Sequence, residues 1–226
     1  MRIDIISAVP DSLDSMLNTS IVKRAQDKKL VQIAVHNLRD YSTNKQRQID
    51  DKPFGGGPGM LLKPEPFFLC LEKLLSESKY EHIIFCTPGG KVYNQSLANK
   101  FSLAKNIIII TGHYKGIDDR VREKFATDEV SIGNFVLSGG ELLALIITDS
   151  VVRLLPGVLG DSESMLQDSF MNGEIIEAPF YTRPAEYDGM NVPEVLLSGN
   201  DSKIENWKEV QSKKLTEKWK KINSLE

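Results

Sequence analysis

The sequence predicts an α/β fold with a mainly parallel sheet, and three observations support this class. Short apolar runs of strand length alternate with helix-length amphipathic segments from residue 2 to residue 154. The most apolar run, residues 106–111, is too uniformly apolar for a half-exposed edge strand and is typical of a parallel strand that is buried on both faces. Glycines follow several of these runs, where a strand would turn into a helix.

The elements follow one another in a regular order. Strands are predicted over residues 2–9, 30–35, 82–86 and 106–111, with an extended segment over 130–137 that Gly133 interrupts. Helices are predicted over residues 11–29, 64–76, 95–103, 120–126 and 140–154. Pro64 is well suited to the start of one helix, and Asn94 to the N-cap of the next. Residues 39–60 predict a long loop and residues 87–91 a turn.

The domain organisation follows from length and composition. A chain of 226 residues accommodates one large domain with a smaller appended unit. We predict a first domain over residues 1–160, an interdomain linker over 161–167, and a small helical C-terminal domain over 168–226. In the last of these, apolar residues recur at helical spacing between 203 and 222 among many lysines, which predicts amphipathic helices.

Composition narrows the functional classes. The net charge is −3, and the two cysteines form no disulfide framework or zinc motif. No apolar run approaches the roughly 20 residues of a membrane span, so we expect a cytoplasmic protein without a membrane partner. Between Lys23 and Lys52 there are eight basic residues and four acidic ones. This local excess indicates either a patch for a polyanion or an ordinary solvated face.

Three glycine-bearing loops follow predicted strands, over residues 87–90, 112–116 and 132–140. In an open parallel sheet, ligands bind beyond the carboxyl ends of the strands, so these loops predict a small-molecule site. Purely steric turns are the alternative. Neither a P-loop nor a dinucleotide fingerprint occurs, which disfavours a nicotinamide dehydrogenase. A ligand held by backbone amides and carbonyls suits an adenosine that carries an amino acid.

The chain resembles the bacterial tRNA (guanine-N1)-methyltransferases of the SPOUT superfamily. The motifs that carry the resemblance are DDKPFGGGPGML (50–61), TGHYKGIDDR (111–120), SIGNFVLSGGEL (131–142), RLLPGVLG (153–160), DSF (168–170), APFYTRP (178–184) and VPEVLLSG (192–199). The resemblance implies a trefoil-knotted N-terminal domain that binds S-adenosylmethionine. It also implies a homodimer whose active site is shared between subunits, and a tRNA substrate that is methylated at the guanine 3′ of the anticodon, position 37.

The resemblance also implies the site residues. The cofactor would be bound by Phe85, Thr87, Pro88, Gly90, Gly112, Tyr114, Ser131, Ile132, Gly133, Asn134, Phe135, Val136, Leu137, Gly139 and Gly140. Asp168 would be the general base that removes the proton from guanine N1, and Arg153 would stabilise the charge that develops on O6. No metal-ligand motif is assigned, although Asp168 and Glu177 could share a Mg²⁺ ion.

Three positions depart from the family pattern. Lys115 replaces a glutamate, Asn134 an aspartate, and Asn200 a histidine. Because a buried cation would repel the sulfonium of the donor, we expect the Lys115 side chain to turn outward. The alternative is that Lys115 replaces a metal ion by supplying positive charge near guanine O6. Two alternatives stay open at this point: a SPOUT enzyme that acts on another RNA, and a non-catalytic relative that binds RNA or cofactor.

Overall fold

The computed structural model describes residues 1–160 and 168–223, so the predicted linker over 161–167 lies outside the described residues. The chain divides into two compact units, Met1–Gly160 and Asp161–Glu226, and each is described by itself. No described helix is long and apolar enough to cross a membrane.

The first unit is built on a five-stranded sheet. The strands of this sheet are β1 (Arg2–Ser7), β2 (Gln32–Asn37), β5 (His82–Val92), β6 (Asn106–Ile110) and β7 (Asp128–Ser131). A separate two-stranded antiparallel ladder consists of β3 (Asp50–Asp51) and β4 (Leu61–Leu62). The order across the large sheet is β2-β1-β6-β5-β7, and every neighbouring pair is parallel. The predicted α/β class with a parallel sheet is therefore confirmed.

The central strand β6 shows why this sheet is buried on both faces. Ile107 and Ile109 belong to one core cluster, whereas Ile108 and Ile110 belong to another. All four are fully buried. Successive side chains of a strand point to opposite faces, so an uninterrupted apolar run requires a covering layer on each side.

Helices supply those layers. They are α1 (Asp14–Leu17), α2 (Ser20–Asp27), α3 (Pro64–Glu77), α4 (Gln95–Ser102), α5 (Asp119–Phe125) and α6 (Glu141–Val152). Asn94 caps α4 as predicted, because its side chain accepts a hydrogen bond from the Leu97 amide at 3.1 Å. The helical region predicted over 11–29 consists of separate helices, and the second begins at Ser20, because extended backbone at Thr19 and a positive φ at Ser20 separate α1 from α2.

The predicted turn over residues 87–91 lies within the span of β5. Cys86 and Lys91 both pair with Val130 of β7, so the four residues between them form a large bulge. Gly90 makes the bulge possible, because a Cβ atom there would lie 2.4 Å from the Val130 nitrogen. The extended segment predicted over 130–137 is also shorter than expected, since β7 ends at Ser131.

The second unit contains a two-stranded antiparallel ladder, β8 (Glu186–Tyr187) with β9 (Met190–Asn191), followed by α7 (Glu194–Leu197) and α8 (Asp201–Asn223). The region predicted as several amphipathic helices forms the single 23-residue helix α8. The segment that precedes the ladder packs on α8: Thr216 accepts a hydrogen bond from the Ile176 amide at 2.9 Å, and Ser212 donates one to the Ile176 carbonyl at 2.6 Å.

Candidate functional site

A cavity of about 220 Å³ lies beyond the carboxyl ends of β6 and β7 and beside the bulge of β5. The three glycine-bearing loops predicted from the sequence meet there, at the edge of the sheet where open α/β folds bind ligands. The lining residues are Cys86, Thr87, Pro88, Gly112, His113, Tyr114, Lys115, Gly116, Ser131, Ile132, Gly133, Phe135, Val136, Leu137, Ser138, Gly139, Gly140 and Leu143.

Backbone hydrogen bonds hold two of these loops together. The Gly140 amide donates to the Gly112 carbonyl at 2.8 Å, and an isolated antiparallel bridge joins His113 to Gly139. The loop that follows β6 is therefore fixed against the residues that lead into α6. The wall of the cavity at this point consists largely of main chain.

Close packing requires glycine at two of these positions. A Cβ atom at Gly140 would lie 3.1 Å from the Thr111 Cα and 3.1 Å from the Cys86 Cβ. A Cβ atom at Gly139 would lie 2.2 Å from Oε2 of Glu141. Side chains there would force the loops apart, so these glycines are needed for the close approach of backbone to backbone.

Most of the residues expected to bind the cofactor line this cavity: Thr87, Pro88, Gly112, Tyr114, Ser131, Ile132, Gly133, Phe135, Val136, Leu137, Gly139 and Gly140. The other three lie outside its wall. Phe85 points into the core on the opposite face of the sheet from Cys86, because adjacent side chains of a strand alternate. Gly90 packs on β7, and the Asn134 side chain is exposed.

Six lining residues were absent from the sequence-based assignment: Cys86, His113, Lys115, Gly116, Ser138 and Leu143. Four of them, Cys86, His113, Lys115 and Ser138, are sequence neighbours of assigned residues, and Gly116 is the last residue of the predicted loop over 112–116. Leu143 lies in the first turn of α6, and nothing in the local sequence pointed to it. Burial raises the pKa of the Cys86 thiol to about 12, and the Glu141 charge adds to the shift, so the thiol stays protonated at neutral pH.

Lys115 lies at the rim of the cavity, and its side chain is exposed, in agreement with the expected outward direction. Its aliphatic part packs beside Gly59, where a Cβ atom would lie 3.0 Å from the Lys115 Cγ. The Lys115 amide also donates to the Met60 carbonyl at 3.1 Å. The glycine-rich segment that ends at Gly59 is thereby attached to the cavity rim.

Arg153 ends the same helix that begins beside the cavity. It is the C-cap residue of α6, and its amide donates to the Asp149 carbonyl at 3.1 Å. A helix of twelve residues rises about 18 Å. Gly140 lies at the other end of this helix. The distance between Arg153 and the cavity is therefore longer than an arginine side chain.

The second unit contains an acidic pair. The Glu177 amide donates to the Ser169 hydroxyl at 2.9 Å, which folds the segment so that Glu177 lies near Asp168. Burial and the Asp168 charge raise the pKa of Glu177, and the Lys208 cation acts in the opposite direction. Within the described residues, no group of three or more His, Cys, Asp or Glu side chains forms a metal site.

A parallel α/β sheet with a glycine-walled cavity at its carboxyl edge defines a ligand-binding protein of the α/β class. Comparison with known proteins specifies the family. The family model described as tRNA (Guanine-1)-methyltransferase TrmD matches residues 1–223, so the chain belongs to this family and the resemblance found in the sequence is confirmed.

Three relatives illustrate the similarity, and each is named tRNA (guanine-N(1)-)-methyltransferase. The chain is 50% identical over 218 residues to that of Bacteroides thetaiotaomicron, covering 96% of each chain. It is 54% identical over 209 residues to that of Flavobacterium johnsoniae, covering 92% of each. It is 51% identical over 216 residues to that of Chlorobaculum tepidum, covering 96% of this chain and 94% of the relative.

Proposed function

We propose that this protein transfers a methyl group from S-adenosylmethionine to N1 of the guanine 3′ of the anticodon, position 37, in tRNA. The observation that carries the proposal is the cavity at the carboxyl edge of the sheet, in a chain whose match to the family extends from residue 1 to 223. The names of the relatives support the same substrate class.

The residues of the cavity fit this donor. Gly139 and Gly140 keep the wall free of side chains, so a ligand can approach the main chain directly. Ile132, Leu137 and Leu143 add apolar surface for a flat ring. Together these groups suit an adenosine that is linked to an amino acid. When bound, the donor supplies an electrophilic methyl group carried on a sulfonium.

Asp168 and Arg153 supply the chemistry on the acceptor. Guanine N1 carries a proton and is a poor nucleophile until that proton leaves, so we assign Asp168 as the general base. Negative charge then spreads to O6, where the Arg153 guanidinium stabilises it as it develops. Neither role requires contact with the donor, which separates acceptor activation from donor binding.

We propose that the enzyme is a homodimer whose active site is shared between subunits. The position of Arg153 supports this, because α6 separates it from the cavity of its own chain. Exposed apolar side chains support it as well: Val136 is 93% exposed, Leu142 56% and Ile146 43%. Apolar groups that cluster on one helix and the loop before it are typical of a surface that a partner covers.

The trefoil knot of residues 1–160 and the helical tRNA-binding domain of residues 168–226 also belong to this proposal. Hydrogen bonds between the loop after β6 and two distant segments support the knot. The Leu62 amide donates to the Gly116 carbonyl at 3.0 Å, and the Gly140 amide donates to the Gly112 carbonyl. The lysines of α8 support an RNA-binding role. A tRNA substrate supports a cytoplasmic location.

A magnesium requirement remains a separate proposal. Asp168 and Glu177 present hard carboxylate oxygens, which Mg²⁺ prefers, and the ion commonly keeps several water ligands. Methyl transfer assayed with and without excess chelator tests it. A rate that chelator leaves unchanged would remove magnesium from the reaction.

Transfer of a radiolabelled methyl group to a tRNA with G at position 37, against the same tRNA with A there, tests the function. We expect incorporation only with G. Incorporation into both tRNAs would indicate a different target, and donor binding without incorporation would indicate the non-catalytic alternative.

Mixing two inactive variants tests the shared site. Asp168→Asn and Gly140→Trp would each be inactive alone, whereas a heterodimer would hold one intact composite site. We expect activity to return after subunit exchange. Confirmed heterodimers without activity would contradict the shared site.

A further inference from the structure

A buried carboxyl group lies directly behind the wall of the cavity. Glu141 is the first residue of α6 and is only 6% exposed. Its Oε1 accepts a hydrogen bond from the Ser7 hydroxyl at 2.8 Å. The Thr111 hydroxyl lies 2.9 Å from both Oε1 and the Ile6 carbonyl, so these two acceptors share its single proton. Ser7 and Thr111 are both fully buried, so the three side chains form an internal polar cluster.

The cluster joins the end of β1 to two segments that line the cavity. Ser7 is the last residue of β1, and Thr111 directly follows β6. Thr111 precedes the lining residue Gly112, and Glu141 follows the lining residue Gly140. The hydroxyls of Ser7 and Thr111 therefore connect the Glu141 carboxyl group to the ends of β1 and β6, next to main-chain groups that form the cavity wall.

Burial of this carboxyl group is unfavourable unless polar partners compensate for the lost water. The two hydroxyls and the start of a twelve-residue helix provide that compensation. The second oxygen, Oε2, lies against Gly139, where a Cβ atom would come within 2.2 Å of it. This buried position therefore holds a polar cluster and a glycine, and not the apolar side chains that are usual in a protein core.

A second buried hydroxyl on the same helix shows the contrast. Thr148 is also fully buried, but its hydroxyl donates to the Ala144 carbonyl within α6 at 2.7 Å. This bond connects no separate segments and lies within the helix. Thr148 thus matches Thr111 in residue type and burial but not in its position beside the cavity.

We propose that Glu141 is a positioning residue for the methyl donor, acting through Ser7 and Thr111 to hold the Gly112 and Gly139–Gly140 backbones in the geometry that binds the donor. The proposal rests on the proposed function, because it takes the donor to be S-adenosylmethionine. Glu141 itself does not contact the reacting atoms in this scheme.

Calorimetric titration with S-adenosylhomocysteine tests the proposal without requiring turnover. Thr111→Val keeps the shape of the side chain and removes the hydroxyl, and we expect the affinity to fall about tenfold. The KM for S-adenosylmethionine should rise by a similar factor, whereas kcat at saturating donor should change less than threefold. The affinity for tRNA without donor should stay within twofold of the wild type.

Thr148→Val is the matched control, and we expect it to bind S-adenosylhomocysteine with wild-type affinity even if its melting temperature falls. Glu141→Gln keeps an acceptor for both hydroxyls and should bind more tightly than Glu141→Met. Wild-type affinity in both Thr111→Val and Glu141→Met, or an equal loss in Thr111→Val and Thr148→Val, would overturn the proposal. Failure of the wild-type protein to bind the ligand would instead contradict the proposed function.

Discussion

Two carboxyl clusters, one in each unit of the molecule, have opposite surroundings. In the first unit Asp4 is fully buried, and its Oδ2 accepts hydrogen bonds from Arg2 at 2.7 Å and from Tyr80 at 2.9 Å. His36 Nε2 lies 2.7 Å from the other oxygen. Burial alone would raise the pKa of Asp4, but the bonds to His36, Arg2 and Tyr80 outweigh it and lower the pKa.

The second unit shows the reverse arrangement, because Glu177 lies near another carboxylate. Burial and the charge of Asp168 raise the pKa of Glu177. A carboxyl group surrounded by donors is held in its ionised form and stabilises the fold. A carboxyl group beside a second one binds a proton more readily, which is the behaviour expected near a site of proton transfer. We propose that this contrast distinguishes a structural carboxyl group from one that takes part in proton transfer, and four substitutions test the proposal.

The largest expected effect is on turnover. Asp168→Asn should reduce kcat by about 10²- to 10⁴-fold, because the amide cannot take the proton from guanine N1. Donor affinity and melting temperature should remain near those of the wild type. Asp188→Asn, at an exposed position of the same unit, is the control and should keep full activity. Near-wild-type turnover in Asp168→Asn would remove Asp168 from its role as base.

Asp4→Asn should act on stability instead. We expect the free energy of unfolding at pH 7 to fall by about 3 kcal/mol, because Arg2 loses a buried anionic partner. A lowered pKa contributes stability above the unfolded value of about 3.9 and loses it as the pH falls through the folded pKa. Urea denaturation should therefore show the difference at pH 7 and a smaller one at pH 3.

The exposed pair of Lys23 and Asp27 provides the control for this experiment. Asp27→Asn should leave the unfolding free energy almost unchanged, since exposed ion pairs contribute little. Equal losses in Asp4→Asn and Asp27→Asn would show that the Asp4 cluster does not stabilise the fold.

Tyr80→Phe should produce a smaller loss of about 1.5 kcal/mol, because it removes one donor to Asp4 and leaves the bonds from Arg2 and His36 in place. Combined with Asp4→Asn, the two losses should be less than additive, since both act on one interaction. Tyr187→Phe, at an exposed position, is the control. Strict additivity would indicate that Tyr80 acts independently of Asp4.

Some features of the fold can be predicted from the local sequence, and others cannot. The uniform apolar run of β6, Pro64 at the start of α3 and the Asn94 cap are local signals, and the structure confirms all three. The bulge in β5 carries no such signal. It depends on contact between Gly90 and Val130, forty residues apart, and the sequence of residues 87–91 by itself is typical of a turn.

The site divides in the same way. The three glycine-bearing segments could be found because each follows an apolar run of the sequence that predicts a strand, and parallel strands bring their carboxyl ends to one edge. The Glu141 cluster could not, because Ser7 is 134 residues away and a glutamate after two glycines is ordinary at a helix start. Residues that act through a side chain far along the chain become visible only in three dimensions.

The smallest expected effect is a gain in stability from Glu177→Gln, whereas Asp4→Asn should cause a loss. A raised pKa means that folding becomes less favourable as the pH rises from the unfolded value of about 4.3 through the folded pKa of Glu177. Glu177→Gln removes this loss, so its melting temperature should lie slightly above that of the wild type at pH 7. The difference should vanish below about pH 4, where the wild-type carboxyl group is protonated in both states.

Glu186→Gln, an exposed change of equal charge in the same unit, corrects for the general effect of net charge. Lys208→Met should enlarge the gain, because the Lys208 cation lowers the Glu177 pKa. A variant Glu177→Gln that is less stable than the wild type at pH 7 would place Glu177 with Asp4 among the structural carboxyl groups.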